Sequence, residues 1–233
     1  MRRGSGQYEF PDDFSRLFGF YQALYHLTDG KVTPLIGSAL EQAGYDQTYS
    51  LEVGEITEVP ALDKVIHWDG ASTIETDRAI TFDIGAAGKG YAVDIIADML
   101  EAEAEKEYII DASGDMRHRG DGDTIGLEHP FDPTKIIGTM RLKNKSLCAS
   151  SINRRAWRGL HHVFDPTSLS PVADVVATWA VADDTMTADG LATALFFVRD
   201  AGDLQRTFNF SFVRIFADGS VDYTPGLEGE LYI

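Results

Sequence analysis

The sequence predicts an α+β fold, a largely antiparallel or mixed sheet with flanking helices. Three observations predict it. Residues 11–28 carry Phe14, Leu17, Phe18, Tyr21, Leu24 and Tyr25 at helical spacing. Short strand-like runs separated by turn residues fill 107–182, which favours a mixed or antiparallel sheet over a purely parallel one. Two further helical stretches, about 91–106 and 185–198, each follow a strand-like run.

The first helix has Asp12 or Asp13 available as its cap and Gly30 just past its end. Residues 79–84, Ala-Ile-Thr-Phe-Asp-Ile, read as a buried strand leading into a glycine-rich turn, Gly85–Gly90, and then a helix over Tyr91–Lys106. Tyr108–Ala112 is a second strand, and 175–182, Val-Val-Ala-Thr-Trp-Ala-Val-Ala, a long one. A helix from about Thr185 to Val198 takes Asp183 or Asp184 as its cap. Phe212–Phe216 and Val221–Tyr223 complete the strands.

A chain of 233 residues suits one large domain or two closely joined lobes. The net charge of -17 repels phosphate backbones and argues against a nucleic-acid partner. A phosphate-bearing small ligand then needs a local device: a metal ion, a lysine or a helix N-terminus. The single cysteine, Cys148, excludes a disulfide framework or a cysteine zinc site within one chain. No apolar run is long enough to cross a bilayer. The opening Met-Arg-Arg-Gly-Ser-Gly lacks the apolar core of a signal peptide, so a cytoplasmic location is expected for the chain as given, and export if an upstream signal has been lost.

Four constellations could carry chemistry. In Asp83-Ile-Gly-Ala-Ala-Gly-Lys89-Gly, a strand, a glycine turn and a helix start would bring backbone N–H groups and one ammonium to an anion, although a plain tight turn explains it equally well. The residue after Lys89 is glycine, so this is not a Walker A loop. Asp189 and Thr193 stand at i and i+4 on one helix face, where a carboxylate and a hydroxyl can reach one hard cation; a solvated first turn is the plainer explanation. His161-His162-Val-Phe-Asp165 offers a base or a phosphate contact, or a strand-end histidine bonded to backbone. A Ser-His-Asp hydrolase using Ser150 or Ser151 lacks the G-x-S-x-G elbow. Asp115 ends the turn Ala112-Ser-Gly-Asp, where it binds a ligand or closes the turn.

The order of these pieces resembles the ApbE-type FAD:protein FMN transferases. That family shows a D-x-G-x-x-x-K-G-Y-x-x-D segment, here Asp83 to Asp94, and then a G-D turn, here Ala112 to Asp115. Ile125-Gly-Leu-Glu-His-Pro130, His162-Val-Phe-Asp-Pro166 and Ala188-Asp-Gly-Leu-Ala-Thr-Ala-Leu195 follow in the family's order, and the resemblance spans roughly residues 11–200. It implies an ApbE-like domain related to the T-fold over 1–233, N-terminally short because the family's first strand and its flavin-enclosing turn have no counterpart. It also implies Mg²⁺-dependent transfer of FMN from FAD to a threonine or serine hydroxyl of an acceptor protein, releasing AMP. An FAD pyrophosphatase and a flavin-binding protein without turnover are the alternatives. By resemblance, Asp189, Thr193 and the Ala86 carbonyl would hold Mg²⁺; Asp83, Lys89, Asp115 and Phe164 would bind the FAD; and His162 would sit beside the pyrophosphate and help deprotonate the acceptor. Leu169 departs from the family pattern, replacing the glycine of its D-P-x-T-G-x-P turn.

Overall fold

The computed structural model describes residues 4–232, with helices α1 (Phe14–Leu27), α2 (Gly37–Gln42), α3 (Leu62–Val65), α4 (Gly88–Ala102), α5 (Thr185–Ala194) and α6 (Gly202–Thr207). Residues 1–85 and 155–172 cluster as one compact unit, and residues 86–154 and 173–233 as another.

In the first unit the predicted stripe forms α1. It buries Phe14, Leu17, Phe18, Phe20, Tyr21 and Leu24. Phe14 and Phe18 join Leu35, Leu62, Val65, Ile66, Ile74 and Ile80 in one apolar cluster. Asp13 is the N-cap residue but makes no side-chain capping bond. The exit follows the Thr-Asp-Gly sequence. The Thr28 hydroxyl donates to the Leu24 carbonyl at 2.7 Å and accepts from Val32 N–H at 2.9 Å. Gly30, at φ +82°, donates its N–H to the Tyr25 carbonyl at 2.7 Å, the left-handed closure that glycine adopts without strain. The sheet is antiparallel, in the order Gly6–Glu9, Thr73–Thr76, Ile66–Trp68.

One prediction fails here. Residues 79–84 form no strand. Ile80 is buried and Phe82 packs on the same cluster, but Ile84 is exposed and no neighbouring strand pairs with the segment. Asp83 N–H goes instead to the Pro34 carbonyl at 2.8 Å. An apolar run reports contact with the core, not a ladder.

The second unit holds a six-stranded sheet, with every pair antiparallel, in the order Val221–Tyr223, Ser211–Phe216, Val175–Ala182, Ser146–Ser151, Asp115–Arg119, Tyr108–Asp111. A three-stranded antiparallel sheet, Gly229–Leu231, Asp132–Leu142 and Asp123–His129, accompanies it. The strand Val175–Ala182 is buried throughout. Its Ala177, Trp179 and Val181 enter a cluster with Leu127, Ile137, Met140 and Leu142 of the smaller sheet. Thr178, Ala180 and Ala182 point the other way, and their small size lets α5 lie close. The Thr178 hydroxyl donates to the Ala192 carbonyl at 2.6 Å. The mixed, mainly antiparallel α+β architecture is therefore as predicted.

Two helix boundaries differ from expectation. α4 begins at Gly88, so Lys89 and Gly90 belong to its first turn, and it ends at Ala102 rather than Lys106. α5 stops at Ala194. Beyond it the chain is held by Arg214, which is 2% exposed. The guanidinium donates to the carbonyls of Leu195, Val198 and Arg199 at 3.2, 2.7 and 2.8 Å, and to Asp222 at 2.8 Å. It also lies 5.0 Å from the Phe216 ring centre. Replacing Arg214 with leucine strands these acceptors. We expect a loss of about 3 kcal/mol or more of stability, read as a lowered urea midpoint with an unchanged slope.

Candidate functional site

In the second unit, α4 and α5 hold each other through two carboxylates. Asp94 of α4 accepts from Thr185 N–H at 2.8 Å and from Met186 N–H at 2.9 Å. Asp184, the N-cap, accepts from Thr187 N–H at 2.9 Å. Three otherwise orphaned donors at the start of α5 are thereby satisfied. In return, Asp189 Oδ2 of α5 accepts from Gly90 N–H of α4 at 2.9 Å. A Cβ on Gly90 would lie 2.2 Å from the Thr185 carbonyl oxygen and 2.8 Å from Asp189 Cβ. Glycine is required at this helix crossing.

Asp189 is 2% exposed. It lies in the second turn of a helix starting at Thr185, so the explanation of a solvated first turn is wrong. The reason is the close helix crossing, which no local pattern announces. Thr193 is half-buried one turn on, and Ala86 lies in the turn just before the α4 N-cap residue, Ala87.

Asp115, 1% exposed, begins the strand after a hairpin in which Ser113 and Gly114 both have positive φ, +61° and +100°. Asp111 fixes that turn by accepting Gly114 N–H at 2.9 Å. Asp115 Oδ2 accepts from the Lys89 ammonium, and Asp115 Oδ1 is buried without a hydrogen-bond partner. Lys89 Nζ is also 3.7 Å from Asp189 Oδ1. The structure thus brings together Lys89, Asp115 and Asp189. Beneath them, burial and then the Asp189 charge push the Cys148 thiol well up, so it stays a protonated thiol.

Among the described residues no group of three or more His, Cys, Asp or Glu side chains is assembled to hold a metal. The donor set expected here contains only one such residue, its others being a hydroxyl and a backbone carbonyl. Its chemistry nevertheless fits a hard divalent cation, which prefers oxygen ligands. Buried carboxylates outnumber the one ammonium beside them, and one carboxylate oxygen is left without a partner.

In the first unit, Asp83 Oδ1 accepts from Gly85 N–H at 2.7 Å, tying the turn. Gly37 lies so close that a Cβ there would sit 2.8 Å from Thr81 Cγ2 and 3.2 Å from Asp83 Cβ. His161 is the strand-end histidine: its Nε2 lies 2.8 Å from the Val172 carbonyl, which only accepts, so the proton is on Nε2. His162 is half-buried, its ring centre 6.5 Å from that of Tyr45. Tyr45 stacks on Trp157 at 5.5 Å, and the indole donates to the Ala43 carbonyl at 2.9 Å. Burial, ahead of the opposing Arg155 charge, raises the Tyr45 phenol. Phe164 is 2% exposed, and its backbone pairs with Pro171. Asp165 accepts from Thr167 N–H at 2.8 Å and from the Thr167 hydroxyl at 2.6 Å. Burial would raise Asp165, but these bonds, Ser168 and Lys31 outweigh it and lower the carboxyl. Leu169, standing for the family's glycine, has a left-handed φ of +52°, a conformation that costs a non-glycine residue strain.

The family profile described as "ApbE family" matches residues 2–207. A Vibrio cholerae protein named FAD:protein FMN transferase is 31% identical over 48% of this chain and 37% of its own length. A protein of the same name from Rhodobacter capsulatus is 26% identical over 70% of this chain and 33% of its own length. The chain thus spans well under half of these curated relatives. Among solved structures, the ApbE protein of Thermotoga maritima superposes with a TM-score of 0.84 at 22% identity, covering 96% of this chain and 79% of its own. The flavin transferase ApbE of Vibrio cholerae gives 0.72 at 19%, covering 94% and 76%. At these identities the likeness establishes the fold.

Two expectations follow from the geometry. Gly90→Ala drives a methyl into the α5 backbone; overpacking of this kind costs about 1–3 kcal/mol or more, and the thermal midpoint falls accordingly. Burial lowers the His161 pKa from its ordinary 6.5, ahead of the opposing Val172 bond. The unfolded chain therefore binds the proton more readily, and stability is lost as pH falls below about 6.5. His161→Gln, which keeps a donor for Val172, should flatten the fall in thermal midpoint between neutral pH and the onset of carboxylate titration. An unchanged fall would assign it to other groups.

Proposed function

This chain belongs to the ApbE family, and from that premise we propose that it transfers FMN from FAD onto a threonine or serine hydroxyl of an acceptor protein, releasing AMP. The observation that carries the reading is the buried Asp189 carboxylate, held by the Gly90 N–H at the N-terminal turn of α4, with the Lys89 ammonium beside it. A carboxylate fixed in this way is suited to hold a cation against a pyrophosphate in a protein whose net charge of -17 otherwise repels one. Residues 1–233 act as a single transferase domain, the chain passing between the two compact units three times.

Asp189, Thr193 and the Ala86 carbonyl are the proposed Mg²⁺ ligands. When bound, the metal neutralises charge on the two phosphates. Lys89 and Asp115 are proposed FAD-binding residues, Lys89 as a point charge for phosphate. By the family resemblance, Asp83 and Phe164 are proposed contacts of the nucleotide. The acceptor oxygen forms its bond to the FMN phosphorus while the bond from that phosphorus to the bridging oxygen breaks. AMP leaves with that oxygen. His162 takes the acceptor proton; its neighbour His161 is committed to the Val172 carbonyl. With water as acceptor, the same groups give FAD pyrophosphatase activity.

Asp189→Asn and Thr193→Val test the ligand assignment. Each keeps size and fold. Asp189→Asn also retains an acceptor for Gly90 N–H. We expect both to lose Mg²⁺-dependent release of AMP from FAD by at least about a hundredfold, the scale of a lost charge-stabilising group. Turnover equal to that of the parent in either variant removes that residue from the metal site. No FAD cleavage by the parent, despite FAD binding, would leave the flavin-binding alternative.

A further inference from the structure

We propose that Lys89 is a tethered counter-ion for the buried carboxylates of Asp115 and Asp189, holding both in place in the metal-free protein. The proposal rests on the metal reading above only for its Mg²⁺ arm. Three elements converge on one ammonium: Lys89 from the first turn of α4, Asp115 from the strand after the hairpin, and Asp189 from α5. The ammonium is bonded to Asp115 Oδ2 and lies 3.7 Å from Asp189 Oδ1. Both carboxylate side chains are almost wholly buried, at 1% and 3% exposure, whereas that of Lys89 is 40% exposed.

A lysine in the first turn opposes the helix dipole, where an acidic residue is favoured. Helix stability therefore does not explain Lys89, and the two carboxylates do. One positive charge facing two negative ones leaves the cluster net negative. It holds the carboxylates together yet remains attractive to a further cation. Its exposed stem lets the ammonium swing towards phosphate once that cation has arrived. Lys89 is thus a positioning residue as well as a phosphate contact.

The test measures thermal midpoints of the intact chain in EDTA and in excess Mg²⁺ for the parent, Lys89→Met, Asp115→Asn and the double variant. In EDTA, Lys89→Met should lose about 5 °C or more, because removing one partner strands a buried charge. The double variant should recover most of that loss. Mg²⁺ should raise the midpoint of Lys89→Met by more than that of the parent. A Lys89→Met midpoint in EDTA within about 1 °C of the parent, or strictly additive effects in the double variant, overturns the proposal. Where Lys89→Met does not fold, a double variant that folds near the parent midpoint supports it, and one that also fails overturns it. Coupling in EDTA with no Mg²⁺ response in any variant keeps the counter-ion and defeats the metal reading. A Mg²⁺ response without coupling does the reverse.

Discussion

Two helices exchange carboxylates in this protein, and the candidate site depends on that exchange. Asp94 of α4 caps α5, and Asp189 of α5 takes the Gly90 N–H at the start of α4. Neither bond is possible unless the helices approach to the distance that Gly90 alone permits. A glycine within a helix normally costs about 1 kcal/mol relative to alanine. Here that cost secures a crossing at which two buried carboxylates find backbone donors rather than water. The small residues Ala180 and Ala182, with Thr178 bonded to Ala192, extend the same close packing from helix to sheet.

Burial without full charge compensation separates this cluster from an ordinary structural ion pair. Arg214 shows the ordinary case: its guanidinium meets three carbonyls of the segment after α5 and the carboxylate of Asp222. Around Lys89 the balance is reversed, with an orphaned Asp115 oxygen and an excess of carboxylate. Sites with buried charge of this kind persist when a ligand completes them.

The fold was legible where local chemistry and burial agree. The stripe of α1, the eight buried residues of 175–182 and the Asp184 cap are all local signals, and all appear in the structure. The segment 79–84 misled because Ile80 and Phe82 pack on the cluster around Phe14 and Phe18 without pairing to a partner strand. In the site, residue types and order pointed to Asp189, Lys89 and Asp115, but not to how they meet. Gly90 looked like a means of letting a ligand approach, whereas it makes room for α5. Asp94, inside the recognised segment, showed no sign of capping a helix 91 residues further on. Contacts of that range depend on topology, which composition and periodicity do not encode.

The neighbouring histidines show the same limit from the other side. Nothing in His161-His162 says which ring is structural. The hairpin of Leu160–His161 with Ala156–Trp157 settles it by turning the His161 ring inward, where Nε2 closes on the Val172 carbonyl. His162 follows the end of that strand and lies half-buried near Tyr45. A buried, backbone-bonded imidazole kept neutral by its surroundings makes a poor proton shuttle. Place in the fold, rather than any property of the two side chains, sets their surroundings apart.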